Sequence, residues 1–286
     1  MNSKCKDKFK GILIVSDIDG TFLGKGSRIV PENIEAIERF KAQGGLFTIA
    51  SGRMCLNVTN VIKEPDKLLN APAIMANGTC LYDFSEGKFI DYTPLDEALI
   101  ADALSFVRES FTTVGIRVST LTGFITDRLT GFIKKDLAPY PDSTRIINDG
   151  VWVPKDEVWL KVVFRDEAPV LEEVRAGLEK KFPGAFEYGK SSMRYLEIQM
   201  AGCNKAAMLG KLRKFAEEKL GTNVTVCACG DYENDLAMLG AADIAACPDN
   251  AIDEVKKIAD LCLCNCDEGF IAAVIDKLGE NEYEKA

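Results

Sequence analysis

An α/β fold, a doubly wound parallel sheet carrying an inserted α+β segment, is predicted by three features of the chain. Short apolar runs without polar alternation recur near both ends, stretches of helical period lie between them, and a central segment of different pattern interrupts the series. Unalternated apolar runs belong to strands covered on both faces, and the helices between them are the crossovers that parallel strands require.

The first strand is Ile12-Leu13-Ile14-Val15, the second Leu46-Phe47-Thr48-Ile49-Ala50 and the third Ala73-Ile74-Met75, each followed by a polar or glycine-containing turn. Between the first two, the stretch from Pro31 to Gly44 opens on proline, carries Ile34, Ile37 and Phe40 at helical spacing and closes on glycine, so it predicts an amphipathic crossover helix. Strands return at Val224 to Ala228, Ile244 to Ala246 and Leu261 to Leu263, with helices at Ala206 to Leu220, Asp235 to Leu239 and Ala251 to Ile258. Residues 82–190 differ: strand-like segments cluster (Phe124 to Thr126, Trp159 to Phe164, Phe186 to Tyr188) beside helices at Leu95 to Glu109 and Val170 to Lys181 and a loop over Pro139 to Ser143. Residues 1–81 and 191–286 are therefore expected to form the Rossmann-like core, and 82–190 the insertion. Aromatic residues of the insertion, Phe124, Trp152, Trp159 and Tyr188, are expected to fill its small core.

The 286 residues include no histidine, which removes Ser-His-Asp and Cys-His nucleophiles, imidazole zinc sites and HExxH peptidases. A net charge of −9 argues against a nucleic-acid partner, which a basic stripe would serve. No apolar run approaches the ~18 residues of a membrane span, and the basic opening residues 1–10 read as a solvated tail with no signal-peptide core. A cytoplasmic location is the expectation. Ten cysteines without a CxxC pair read as small buried hydrophobes, with Cys227 and Cys229 on one strand face and Cys262, Cys264 and Cys266 on another. None is followed by arginine six positions later, which excludes the cysteine-dependent phosphatase nucleophile.

Ligands bind at the carboxyl ends of strands in an open parallel sheet, and acidic clusters follow two of these strands. Asp17-Ile18-Asp19-Gly20-Thr21 follows the first strand, and Gly230-Asp231-Tyr232-Glu233-Asn234-Asp235 follows the strand at 224–228. Such carboxylates on one rim repel unless a cation intervenes, and Mg²⁺ prefers oxygen ligands of this kind. Taken singly, Asp-x-Asp-Gly suits a turn, and Asp231, Asn234 and Asp235 suit a helix N-terminus. Ser51-Gly52-Arg53 offers a hydroxyl, a backbone N–H and a helix start, and Asn204-Lys205 places an ammonium at the opening of a helix. Together these are ingredients for holding a dianion. Singly, Ser51 suits an N-cap and Lys205 a solvated surface position.

The ordered set resembles the haloacid dehalogenase superfamily of phosphohydrolases, and within it the Cof-type sugar-phosphatase group with a type-2 cap. Asp17 to Thr21 resembles the first family motif, Ser51-Gly52-Arg53 the second, Gly202-Cys203-Asn204-Lys205 the third and Gly230 to Asp235 the fourth. Asn77-Gly78, Asn250-Ala251 and Glu268-Gly269 are similar to the Cof group, whereas Ala206 and Cys247-Pro248-Asp249 depart from it. The resemblance implies Asp17 as nucleophile, Asp19 as general acid and base, and phosphate contacts from Ser51, Gly52 and Lys205. It implies Mg²⁺ held by Asp17, the Asp19 backbone carbonyl and Asp231, with Gly20, Thr21, Arg53, Asn77, Asn234 and Asp235 in support. It also implies a small phosphorylated metabolite, foremost a sugar phosphate, as substrate.

Two other functions fit parts of the pattern. A phosphotransferase or phosphomutase would use the same aspartyl-phosphate and pass it to a sugar hydroxyl. A response-regulator-like phospho-acceptor module would present the same acids and lysine without turnover, but it needs no insertion of more than 100 residues. Arg194 and Tyr195, where the insertion ends, are weighed as substrate contacts against a surface arginine beside a packed aromatic, and the latter is favoured.

Overall fold

The computed structural model describes residues 7–147, 152, 157–190 and 192–280; most of the expected solvated tail lies outside them. The N-terminal part runs β1 (Ile12–Ser16), β2 (Leu23–Gly24), β3 (Arg28–Ile29), α1 (Pro31–Ala42), β4 (Leu46–Ile49), α2 (Cys55–Val58), α3 (Pro65–Leu68), β5 (Ala73–Met75), β6 (Cys80–Asp83) and β7 (Lys88–Tyr92). The middle contributes α4 (Glu97–Ser110), β8 (Gly115–Thr120), β9 (Phe124–Thr126), α5 (Gly131–Leu137), β10 (Thr144–Ile146), β11 (Trp159–Arg165), α6 (Ala168–Lys181), β12 (Phe186–Gly189) and β13 (Leu196–Met200). The chain closes with α7 (Lys205–Leu220), β14 (Thr225–Cys229), α8 (Leu236–Ala241), β15 (Ile244–Pro248), α9 (Asp253–Ile258), β16 (Leu261–Leu263) and α10 (Phe270–Glu280).

These elements divide into two compact units, Met1–Asp91 with Asn204–Ala286, and Tyr92–Cys203. Composition suggests junctions near 82 and 190, but sheet pairing draws them elsewhere. β6 and β7 continue an antiparallel sheet from β5 in the first unit, whereas β13 pairs with β11 and β12 in the second.

The first unit holds a parallel sheet in the order β16-β15-β14-β1-β4, extended beyond β4 by a bridge between Ala50 and Ile74 of β5. Buried Leu13, Val15, Val226 and Ala228 face Met208, Leu212, Met238 and Val255 of α7, α8 and α9. α1 and α10 pack together, and Phe9 meets Phe40 with ring centroids 4.9 Å apart. Both faces of the sheet are thus covered, the reason its strands carry no polar alternation. The strand order reverses between β1 and β14, so their carboxyl ends flank the topological switch point.

The second unit is a six-stranded sheet, β10-β9-β8-β11-β13-β12, antiparallel except for the β10–β9 pair. Ile100 and Leu104 of α4 and Leu171 and Val174 of α6 pack onto Val118, Val162, Phe164 and Ile198. Trp152 and Trp159 lie in this core edge to face at 6.3 Å, and Tyr188 packs against it. Phe124 is buried beside Tyr140 instead. Tyr195 donates to Asp136 at 3.1 Å beneath the Arg165 guanidinium, and exposed Arg194 pairs with Glu167, which is the packed-aromatic arrangement.

One strand-face assignment is corrected. β16 ends at Leu263, and Cys266 is buried in the following 3₁₀ turn, so Cys262, Cys264 and Cys266 share no strand face. Among the described residues no helix is long and apolar enough to cross a membrane.

Candidate active site

β1 delivers Asp17 directly beside the end of β14: Ser16 is in register with Cys229, and the Asp17 backbone N–H donates to the Cys229 carbonyl at 2.8 Å. Asp17 is buried, while Asp19, two residues on, has a half-exposed side chain. Between them Ile18 is fully buried and pins the segment to the core. The chain then turns at Gly20, whose φ of +88° suits glycine and whose missing side chain makes room for Asp231: a Cβ there would lie 2.5 Å from Asp231 Oδ2. Thr21 Oγ1 donates to Asp231 Oδ1 at 2.7 Å, and Asn250 Nδ2 donates to the Gly20 carbonyl at 2.8 Å.

Lys205 is the first residue of α7, which Asn204 caps by accepting from the Ala207 N–H at 2.9 Å. It is not a solvated surface lysine, because its side chain is fully buried and its Nζ donates at 2.6 Å to both Asp17 Oδ1 and Asp235 Oδ1. Asp235 Oδ2 in turn accepts the Asp231 and Tyr232 N–H groups at 3.1 and 3.2 Å. Asp235 stands at the N-cap position of α8 as the helix-terminus reading expects, but its carboxylate is spent on the loop and on Lys205 rather than on a cap bond to α8.

Ser51 is buried at the end of β4, and its Oγ accepts the Arg53 N–H at 3.2 Å. It does not cap α2, which starts only at Cys55 with Met54 at the cap. Asn77 and Gly78 follow β5 with φ of 57° and 90°. Gly78 is required there because a Cβ would lie 2.0 Å from the Asn204 carbonyl oxygen, so the Asn77 loop can rest on the start of α7 only without a side chain. Asn77 Oδ1 lies 2.8 Å from where a Gly52 Cβ would stand and 3.5 Å from Asn234 Nδ2, which brings Gly52, Asn77 and Asn234 together. Arg53 joins the site through a partner that its motif alone does not reveal, the Asp19 carboxylate.

Charge is unevenly balanced here. Burial pushes the Asp17 carboxyl up to about 8, with Asp235 and Asp231 adding to the rise and Lys205 opposing it. Burial likewise pushes Asp231 up to about 6, against the Thr21 hydrogen bond. Burial alone would lower the Lys205 ammonium, but Asp17 and Asp235 outweigh it and the net direction is upward. The lysine thus stays charged between Asp17 and Asp235, while Asp231 beside them accepts from Thr21.

The acids fit a further cation. Asp17, Asp231 and Asp235 offer oxygen atoms within 4.8 Å of one another, the one group among the described residues with metal-binding spacing. Asp235 is committed to Lys205 and the loop, whereas Asp17 and Asp231 each give one oxygen to Lys205 or Thr21 and keep the other. An all-oxygen set of this kind suits a hard divalent ion such as Mg²⁺.

Without a metal, the site makes the stability of the fold depend on pH. Asp17 and Asp231 have folded-state values above their unfolded one of 3.8, so the unfolded chain loses these protons first as pH rises. The site's contribution to stability falls from about pH 4, through about 6 for Asp231, to about 8 for Asp17. In EDTA, Asp231→Asn is expected to melt above the parent at pH 8 and level with it at pH 4. A melting difference independent of pH would contradict this.

A family model described as haloacid dehalogenase-like hydrolase matches residues 14–275. The chain is 27% identical to the 5-amino-6-(5-phospho-D-ribitylamino)uracil phosphatase YwtE of Bacillus subtilis, over 94% of this chain and 99% of that protein. It is 24% identical to the pyridoxal phosphate phosphatase YbhA of Escherichia coli, over 87% and 92% respectively. The crystal structure of TM0651 from Thermotoga maritima superposes with a TM-score of 0.78 at 23% identity, covering 93% of this chain and 97% of that one, and shows the same fold.

Proposed function

The chain belongs to the haloacid dehalogenase-like hydrolases, and from that premise we propose that it is a Mg²⁺-dependent phosphomonoester hydrolase working through an aspartyl-phosphate on Asp17. The observation that carries the proposal is the contact of Lys205 with both Asp17 and Asp235 at 2.6 Å on a strand end shared with Asp231. A buried carboxylate at such a site can attack phosphorus only if positive charge offsets its repulsion with the phosphoryl group, and Lys205 contributes part of that charge. Mg²⁺ held by Asp17, Asp231 and the Asp19 carbonyl would, when bound, supply the rest.

Asp17 forms a bond to phosphorus as the ester P–O bond breaks, and Asp19 gives its proton to the leaving alcohol oxygen. Water then attacks phosphorus and gives a proton to Asp19, the Asp17–phosphorus bond breaks, and inorganic phosphate leaves. Alcohol and phosphate are the products of one ester and one water, and both aspartates regain their starting states. Ser51 with neighbouring backbone N–H groups and Lys205 hold the phosphoryl oxygens throughout. No histidine is needed at any step.

The substrate class is a small phosphorylated metabolite. The names of YwtE and YbhA, a phosphorylated ribitylaminouracil and pyridoxal phosphate, support extending the sugar-phosphate expectation to phosphate esters borne on nitrogen heterocycles. A panel of sugar phosphates, pyridoxal phosphate and p-nitrophenyl phosphate, read by phosphate release, ranks these classes. Acid quenching during turnover is expected to trap phosphate on Asp17 in a hydroxylamine-sensitive bond, and EDTA to abolish release until Mg²⁺ is restored. Steady turnover in EDTA, or a trapped phosphate on another residue, would refute the mechanism.

A further inference from the structure

Asp17 and Asp19 both leave the same strand end, yet each has its own cation. Lys205 takes Asp17, whereas Arg53 takes Asp19, with Nε 2.8 Å from Oδ2 and a terminal nitrogen 2.7 Å from Oδ1. This side-on fork fixes the plane of the Asp19 carboxyl, which a lysine's single ammonium cannot do. Arg53 is itself held at both ends of its backbone: its N–H donates to Ser51 Oγ at 3.2 Å, and its carbonyl accepts the Ala76 N–H at 2.9 Å. One residue therefore ties the Ser51 hydroxyl, the loop after β5 and the Asp19 carboxyl to a common frame. Both Asp19 oxygens accept from the fork, and the side chain remains 52% exposed, so proton transfer to a leaving group would use the outward lone pairs of those oxygens.

We propose that Arg53 is the positioning residue for Asp19: it sets the carboxyl so that the proton passes to the ester oxygen as the P–O bond breaks, and returns from water when the Asp17–phosphorus bond is cleaved. The inference rests on the phosphatase reading above and adds a role that the Ser-Gly-Arg motif does not state. It predicts a dependence on the leaving group. p-Nitrophenolate departs readily without a proton, whereas a sugar alkoxide cannot, so a misplaced general acid harms the second far more.

The test compares Arg53→Ala with the parent on p-nitrophenyl phosphate and on the fastest alkyl ester of the panel. Arg53→Ala is expected to lower kcat on the alkyl ester about 100-fold, the low end of a general acid's contribution, and on p-nitrophenyl phosphate by under about threefold, with KM held within about threefold. Arg53→Lys is expected to regain little, because charge returns without the fork. Added guanidinium is expected to raise the alkyl rate of Arg53→Ala, and ammonium to leave it low. Melting temperatures of both variants guard against misfolding, and the backbone hydrogen bonds of Arg53, which both substitutions keep, predict little change. Equal losses on both esters, a loss confined to KM, or no loss would overturn the proposal while leaving the aspartyl-phosphate reading intact. Turnover retained by Asp17→Asn would overturn that reading instead, and a parent inactive on every ester would overturn both.

Discussion

Asp17→Asn is expected to lower kcat on any turned-over phosphate ester by a factor on the order of 10⁴ to 10⁶, the upper end being the scale seen when a covalent nucleophile is removed. The substitution keeps the size of the side chain and one oxygen for Lys205, whose Nζ lies 2.6 Å from Asp17 Oδ1. It replaces the attacking oxygen with an amide that cannot form a stable bond to phosphorus. Above about pH 8, where Asp17 is ionised, it also removes a negative charge from a cluster in which Lys205 is shared by Asp17 and Asp235 beside Asp231. Folding is therefore expected to hold or improve in the absence of divalent metal, so lost turnover would be chemical. Steady-state rates beside thermal melts in EDTA check both halves. A rate within tenfold of the parent would mean that Asp17 is not the nucleophile.

Lys205→Met should be damaging in two ways. The ammonium is fully buried, and its loss leaves Asp17 and Asp235 without their shared cation, a change worth about 3–5 kcal/mol when one partner of a buried pair is removed. Asp17 can escape part of this by taking a proton, since burial already raises it to about 8. The destabilisation should therefore be smaller at pH 6 than at pH 9. Urea unfolding at the two pH values measures it, and adding Asp17→Asn to Lys205→Met is expected to recover part of the loss. Strict additivity of the two substitutions would show that the groups do not share charge. Turnover should fall about 100- to 1000-fold, because a preorganised donor to the phosphoryl group is gone.

Much of the core fold was readable from the chain because its signals are local. Proline at the start of α1, glycine after it and apolar residues at helical spacing between them are properties of one segment, and the segment folds as they indicate. The expected strand at Leu261 to Leu263 matches β16, and that at Phe124 to Thr126 matches β9. β13, β8 and the β6–β7 hairpin carry no such local signal, because mixed polar and apolar residues such as Leu-Glu-Ile-Gln-Met become strand-like only beside a partner. The boundary of the second unit moved for the same reason: Leu196–Met200 belongs where its hydrogen bonds go.

The candidate site divides similarly. By itself the sequence determined which residue types gather at the strand ends: Asp17, Asp19, Ser51, Arg53, Lys205, Asp231 and Asp235 all stand just after a strand or at the start of a helix. It could not determine pairing, because pairing is a matter of distance between segments 30 to 210 residues apart. Only the tertiary structure decided that Lys205 is buried between Asp17 and Asp235, that Thr21 rather than a helix terminus serves Asp231, and that Arg53 grips Asp19. The reason is physical: a carboxylate in a chain is equally able to cap, solvate or pair, and burial against a particular cation is what removes the other choices.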